Sequence, residues 1–184
     1  MSVRETWINL LHRAATGTRV TRTLLTPLGV VIFGALTALF VLAALRVDQL
    51  LNLRGLLPDA ARLPTAIPVM ALGIAITAWS GFHFLKVKGT PVPFNPPPEI
   101  VTTGPYRHAR NPMLTGVFLF LLGLGFAVDS FSLVLFFTPL FILFNVWELK
   151  NIEEPELIRR FGDKYVDYRE RTPMFIPRLK RLRS

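Results

Sequence analysis

The sequence predicts an all-α integral membrane bundle of about four transmembrane helices, the last two a tight hairpin, with a cytoplasmic C-terminal helix after them. Three observations predict it. First, charge is absent from four long windows: 23 residues between Arg22 and Arg46, 23 between Arg62 and Lys86, 18 between Arg110 and Asp129, and 18 between Asp129 and Glu148. At about 1.5 Å of rise per helical residue, such windows cover roughly 27 to 35 Å, the thickness of a hydrocarbon core. Second, runs such as Phe118-Leu119-Phe120-Leu121-Leu122 and Leu133-Val134-Leu135-Phe136-Phe137 leave no room for the polar stripe of a soluble bundle helix. Third, the charge between the windows alternates. Residues 1–23 carry +3, 46–62 carry +1, 86–110 carry +3, Asp129 carries −1 and 148–184 carry +3. Under the positive-inside rule the basic segments lie in the cytoplasm, which puts both termini there.

The net charge of +9 is therefore read as membrane topology, with no nucleic-acid partner. The tail residues Arg178, Lys180, Arg181 and Arg183 can lie against anionic headgroups. The chain has no cysteine, so disulfides, thiolate nucleophiles and cysteine-ligated metals are excluded. No metal site is expected. The first apolar run starts near Leu24, is too long for a signal-peptide core and lacks a small-residue cleavage site, so it is expected to stay as a span.

The whole chain, 1–184, reads as one membrane-embedded domain. Residues 1–23 are an interfacial N-terminal segment in which Trp7, Leu10, Leu11 and Ala14 can share one face of a short helix. Residues 24–85 hold spans 1 and 2. Span 1 runs from about Leu24 to Leu45 and offers Gly29, Gly34, Ala35 and Ala38 for helix packing. A semi-apolar loop, 46–63, follows. Span 2 runs from about Leu63 to Leu85, with Pro64 and Pro68 in its first turns, where a missing N–H costs least, and His83 near its cytoplasmic end. Residues 86–111 are a loop whose Pro91, Pro93, Pro96, Pro97 and Pro98 keep it extended. Residues 112–177 hold spans 3 and 4 and the C-terminal helix. Asn111-Pro112 reads as an N-cap with Pro at the first helical position, Asp129-Ser130 as a tight turn, and span 4 continues as a charged helix to about Arg160.

The hairpin returns Glu148–Glu154 to the membrane face that carries Gly104–Pro112. Two polar clusters then meet. The start of span 3 offers free N–H groups and a partial positive charge to a carboxylate or phosphate, and Arg110 adds a planar fork for the same group. Glu153 and Glu154 suit an ammonium, a sulfonium or ribose hydroxyls. Tyr and Trp faces can attract a cation or stack on a base. A zwitterionic ligand fits this set.

The motif Arg110-Asn111-Pro112-Met113-Leu114-Thr115-Gly116 is followed by Glu153-Glu154, Leu157-Ile158, Phe161-Gly162-Asp163-Lys164-Tyr165-Val166-Asp167-Tyr168, Arg171 and Pro173. In order and spacing this resembles the C-terminal half of the isoprenylcysteine carboxyl methyltransferase family and its phospholipid-methyltransferase-like bacterial relatives. The family pattern is Arg-His-Pro-x-Tyr-x-Gly, a hairpin, Glu-Glu and then Phe-Gly-x-x-Tyr-x-x-Tyr. Asn111 stands for the family His and Leu114 for the family Tyr.

The resemblance implies S-adenosylmethionine as cofactor and methyl transfer to a lipid or prenylated, lipophilic small-molecule acceptor, by carboxylate O-methylation or headgroup amine N-methylation. It implies that Arg110, Asn111, Pro112 and Leu114 line the cofactor, with Tyr106 and Gly116 in the same set and Glu153 and Glu154 holding its polar ends. Arg171 would face the acceptor. A carboxylate acceptor needs no general base; an amine or phenol does, and His83, His108 or Glu148 can take the proton. Two other readings keep the same hairpin: an NADPH-dependent reductase of the sterol-reductase type, whose motif carries Asn-Tyr where Met113-Leu114 stand, and a non-catalytic lipid-binding protein.

Overall fold

The protein is described here by a computed structural model covering residues 5–9, 19–86 and 99–176. The Pro-rich strap, most of the N-terminal interfacial segment and the basic tail lie outside the described residues. Residues 5–9 form a helical turn. Helix α1 is Arg19–Leu51 and α2 is Asp59–Lys86. A 3-10 turn, Gly104–Arg107, leads into α3, Pro112–Ala127. The last span is a rod of alternating winding: a π-helical segment Leu133–Phe137, α4 Thr138–Glu148, a second π segment Leu149–Glu153, and α5 Glu154–Phe161. Helix α6, Asp163–Arg171, follows a break at Gly162. No β-strand occurs among the described residues.

The protein is an integral membrane protein. Three helical stretches are long and apolar enough to cross a bilayer, Pro27–Leu51, Asp59–Phe84 and Leu133–Phe161, and Pro112–Ala127 is a shorter apolar helix beside them. Sixteen residues reach about 24 Å, short of a hydrocarbon core of about 30 Å, a mismatch that a bilayer accommodates by thinning around the helix. Val31, Leu39, Leu42, Leu72, Leu143 and Phe144 are exposed on the outer faces. Apolar exposure at this density suits lipid rather than water.

Close packing falls between α2 and α3. A Cβ at Gly73 would sit 2.6 Å from the Gly116 carbonyl oxygen, and one at Gly123 would sit 2.8 Å from the Met70 nitrogen. Only glycine lets the two backbones approach so far. The expectation that span 1 supplies such a surface through Gly34 is not met, since a Cβ at Gly34 would meet nothing within 4 Å. Helix α1 packs instead through aromatic side chains. Phe40 and Phe141 lie edge to face, 5.5 Å between centroids, and Phe141 joins Phe118 and Leu121 in a buried cluster.

Helix α1 also runs to Leu51, past its expected end at Leu45, which shortens the loop. Asp48 explains the extension. Its carboxylate accepts the Ser130 hydroxyl and, at 2.9 Å, the Ser132 N–H, so the helix must carry Asp48 to the start of the last rod. The turn itself is as tight as expected: Asp129 has φ 54. The Asp129 carboxylate accepts the N–H of Leu56 at 3.0 Å and of Leu57 at 3.4 Å, and Arg62 donates to the Ala127 carbonyl at 3.1 Å. A clasp of polar groups thus closes this end of the bundle.

Candidate functional site

The opposite end of the hairpin is built around Arg110. Its Nη2 donates to Glu154 Oε1 at 2.6 Å, and its Nη1 donates to the Arg169 and Thr172 carbonyls at 2.9 and 2.6 Å. The Arg110 and Glu154 side chains are 11% and 10% exposed. The backbone pairs here too: Arg110 N–H donates to the Pro173 carbonyl and Asn111 N–H to that of Met174. Arg110 therefore ties the mouth of α3 to α5, α6 and the segment after them. Its Nε is buried and has no hydrogen-bond partner among the described residues.

Tyr106 sits next to this tie on the 3-10 turn. Its ring packs edge to face on Phe84 of α2, and its carbonyl accepts the Tyr168 hydroxyl at 2.7 Å. Among the described residues its own hydroxyl is buried without a well-formed partner: the neighbouring Ser80 donates its proton to the Ile76 carbonyl. Burial pushes the phenols of Tyr106, Tyr165 and Tyr168 up, well past the ordinary tyrosine range. All three stay protonated at neutral pH, and Tyr168 acts as a donor.

The second π segment sets the carboxylates. In an α-helix Glu148 would stack with Ile152, four residues on. A π turn bonds i to i+5, so it carries Glu153 over Glu148 instead. Glu153 consequently lies in the field of Glu148, with Glu156, Arg160 and Glu154 also close. Arg160 pairs with Glu156 at 3.6 Å and Arg169 approaches Glu154 at 4.0 Å. Glu148 and Glu153 make no ion pair at salt-bridge distance among the described residues.

Helix α3 opens at Asn111, which makes no side-chain cap, and at buried Pro112. Its first intrahelical donor is Thr115 N–H, at 3.2 Å from the Asn111 carbonyl, which leaves the Met113 and Leu114 amides at the helix mouth.

The structure thus brings Tyr106, Arg110, Asn111, Pro112, Glu148, Glu153 and Glu154 to one rim. It sets Leu114 against the Phe118–Leu121–Phe141 cluster and Gly116 against Gly73 and Thr77, both in helix packing. His108 and Arg171 are exposed on the surface. Sequence reasoning missed the π segment, the carbonyls that hold Arg110 and the role of Tyr168 in fixing Tyr106. A run of Glu at the end of an apolar helix was the one available signal for the first of these.

The family model for phospholipid methyltransferase matches residues 61–164, more than half of the chain. The protein belongs to that family of membrane proteins. It is 36% identical over 86 residues to NccN, a nickel-cobalt-cadmium resistance protein of Alcaligenes xylosoxydans xylosoxydans, covering 47% of this chain and 39% of that protein. It is 33% identical over 79 residues to a protein-S-isoprenylcysteine O-methyltransferase of Schizosaccharomyces pombe, covering 42% of this chain and 33% of that protein. The matched stretch therefore spans only about two-fifths and one-third of those relatives' own lengths.

Proposed function

We propose that this protein is an S-adenosylmethionine-dependent methyltransferase that modifies a lipid or lipid-like acceptor at the cytoplasmic face of a membrane. The observation that carries the reading is the uncompensated chemistry of the rim. Among the described residues Arg110 Nε and Tyr106 Oη are buried without a well-formed hydrogen-bond partner, next to two carboxylates stacked by a π turn. Buried polar groups left unmatched by the fold cost about 1–3 kcal/mol each, and a ligand with both a carboxylate and cationic groups matches this set. The family membership and the O-methyltransferase relative support the same reading. The charge alternation along the chain supports a cytoplasmic rim and cytoplasmic termini.

The residues fit the cofactor by donor type. Arg110 Nε, Tyr106 Oη and the amides at the mouth of α3 would hold its carboxylate, in the field of the helix N-terminus. Glu148 and Glu153 would hold its cationic and hydroxyl groups. Bound there, the cofactor supplies an electrophilic methyl group. Everything else falls to the protein. Glu154 keeps the Arg110 fork in one orientation, and Tyr168 fixes the Tyr106 turn, so the donors do not reorganise on binding. Leu114, Phe118 and Phe175 form an apolar wall behind the mouth that excludes water from a nucleophile held near it. Arg171, exposed at the end of α6, orients an acidic headgroup.

The test is transfer of label. Membranes with and without the protein, given methyl-labelled S-adenosylmethionine, are extracted and analysed by mass spectrometry. The reading expects a labelled lipid only where the protein is present. Identical lipid profiles in the two membranes, with no labelled species, would contradict it.

A further inference from the structure

The cytoplasmic end of α2 carries a second arrangement, at His83. The imidazole Nδ1 lies 3.0 Å from the Trp79 carbonyl oxygen. A carbonyl only accepts, so Nδ1 carries the hydrogen, and in the neutral ring Nε2 is the bare, basic nitrogen. Among the described residues Nε2 has no hydrogen-bond partner. It lies over Gly104: a Cβ there would come within 2.2 Å of Nε2. Gly104 also has φ +59, so glycine is favoured at this position on two independent grounds. The same Gly104 opens the 3-10 turn that carries Tyr106, and Tyr106 feels the charge of Glu153. The basic nitrogen is therefore beside the candidate rim. It is flanked by the rings of Trp79 and Phe82, both exposed and 6.0 and 6.1 Å from the imidazole. His108, the other histidine of this region, is exposed.

We propose that His83 Nε2 is the proton acceptor of this site, serving an acceptor that enters as a lipid ammonium. This rests on the methyltransferase reading above. One N–H bond of the headgroup breaks and an Nε2–H bond forms, leaving imidazolium and an amine with a free lone pair. That pair makes the new N–C bond to the methyl group, while the C–S bonding pair of the donor stays on sulfur. The imidazolium then returns its proton to water. Trp79 and Phe82 suit the cationic headgroup before the proton leaves. A carboxylate acceptor would need none of this.

A structural role is separable. Elsewhere in this chain asparagine makes the same bond to the carbonyl four residues back: Asn145 Nδ2 to Phe141 at 2.7 Å and Asn151 Nδ2 to Trp147 at 2.8 Å. His83→Asn therefore keeps the local bond and removes the base. The purified full chain goes into dioleoylphosphatidylcholine vesicles with or without dioleoylphosphatidylethanolamine. Two quantities are read: methyl transfer to the ethanolamine lipid, and carbethoxylation of His83 by diethyl pyrocarbonate, mapped by mass spectrometry against His108. The expected results are a loss of about a hundredfold or more in kcat for His83→Asn, partial recovery with added imidazole, and slower labelling of His83 relative to His108 when the ethanolamine lipid is present. Turnover of His83→Asn within twofold of the parent, or a His83 to His108 labelling ratio that ignores the lipid, would overturn the proposal. Transfer to the carboxylate of N-acetyl-S-farnesylcysteine but not to the amine would overturn it while leaving methyl transfer intact. Absence of transfer to both would count against the methyltransferase reading, and the labelling ratio would still decide on His83.

Discussion

The two ends of the hairpin use similar residues to opposite effect. At the clasp, Asp48 is matched by Ser130 and Ser132, Asp129 by the Leu56 and Leu57 amides, and Arg62 by the Ala127 carbonyl. At the rim and beside it, Arg110 and Glu154 match each other, but among the described residues Arg110 Nε, Tyr106 Oη and His83 Nε2 are left open. A polar group next to a membrane core is stabilising only when its partners are supplied. The clasp supplies them internally and holds the fold. The rim leaves some to come from outside, which is how a binding site differs from a structural network.

The largest effect is expected where the two functions overlap. Arg110→Met leaves Glu154 as a buried charge without its main partner, and breaking such a pair costs about 3–5 kcal/mol. Thermal unfolding in detergent micelles should show a large drop in Tm together with loss of activity. Glu153→Gln touches the rim alone. It removes one charge from the group formed with Glu148, Glu156 and Glu154, so Tm should stay level or rise while cofactor affinity falls about 10- to 100-fold, the weight of one or two charge-assisted hydrogen bonds. Arg171→Ala, at an exposed position, should leave Tm unchanged and lower kcat/KM for an acidic-headgroup acceptor about tenfold, with cofactor affinity intact. Asp48→Asn weakens the clasp alone. Unfolding should move by about 1 kcal/mol, and turnover of the folded protein should match the parent. If Asp48→Asn changed turnover as strongly as Glu153→Gln, the distinction between the two ends would fail.

Much of this was legible from charge spacing alone. Uncharged windows of membrane length located the spans, Asn111-Pro112 located the start of α3, and Asp129-Ser130 located the turn, because each feature is a local consequence of residue type. The ends of α1 were not legible. Whether a helix stops at Arg46 or continues past Asp48 depends on Ser130 and Ser132, far away in sequence. The rim was half legible. The motif brought Arg110 and Glu154 to one place, yet their pairing with each other follows from burial, and Leu114 and Gly116 turned out to face the helix packing. The stacking of Glu153 on Glu148 depends on an i to i+5 turn, which no periodicity of 3.6 reveals.

The central claim is that the rim holds the cofactor and the clasp does not. Isothermal calorimetry of the purified protein with S-adenosylhomocysteine tests it directly, on the parent, Glu153→Gln and Asp48→Asn. Saturable binding by the parent and by Asp48→Asn with equal Kd, and a Kd at least tenfold weaker for Glu153→Gln, is the predicted result. Equal Kd in all three, or binding of NADPH in place of S-adenosylhomocysteine, would contradict it.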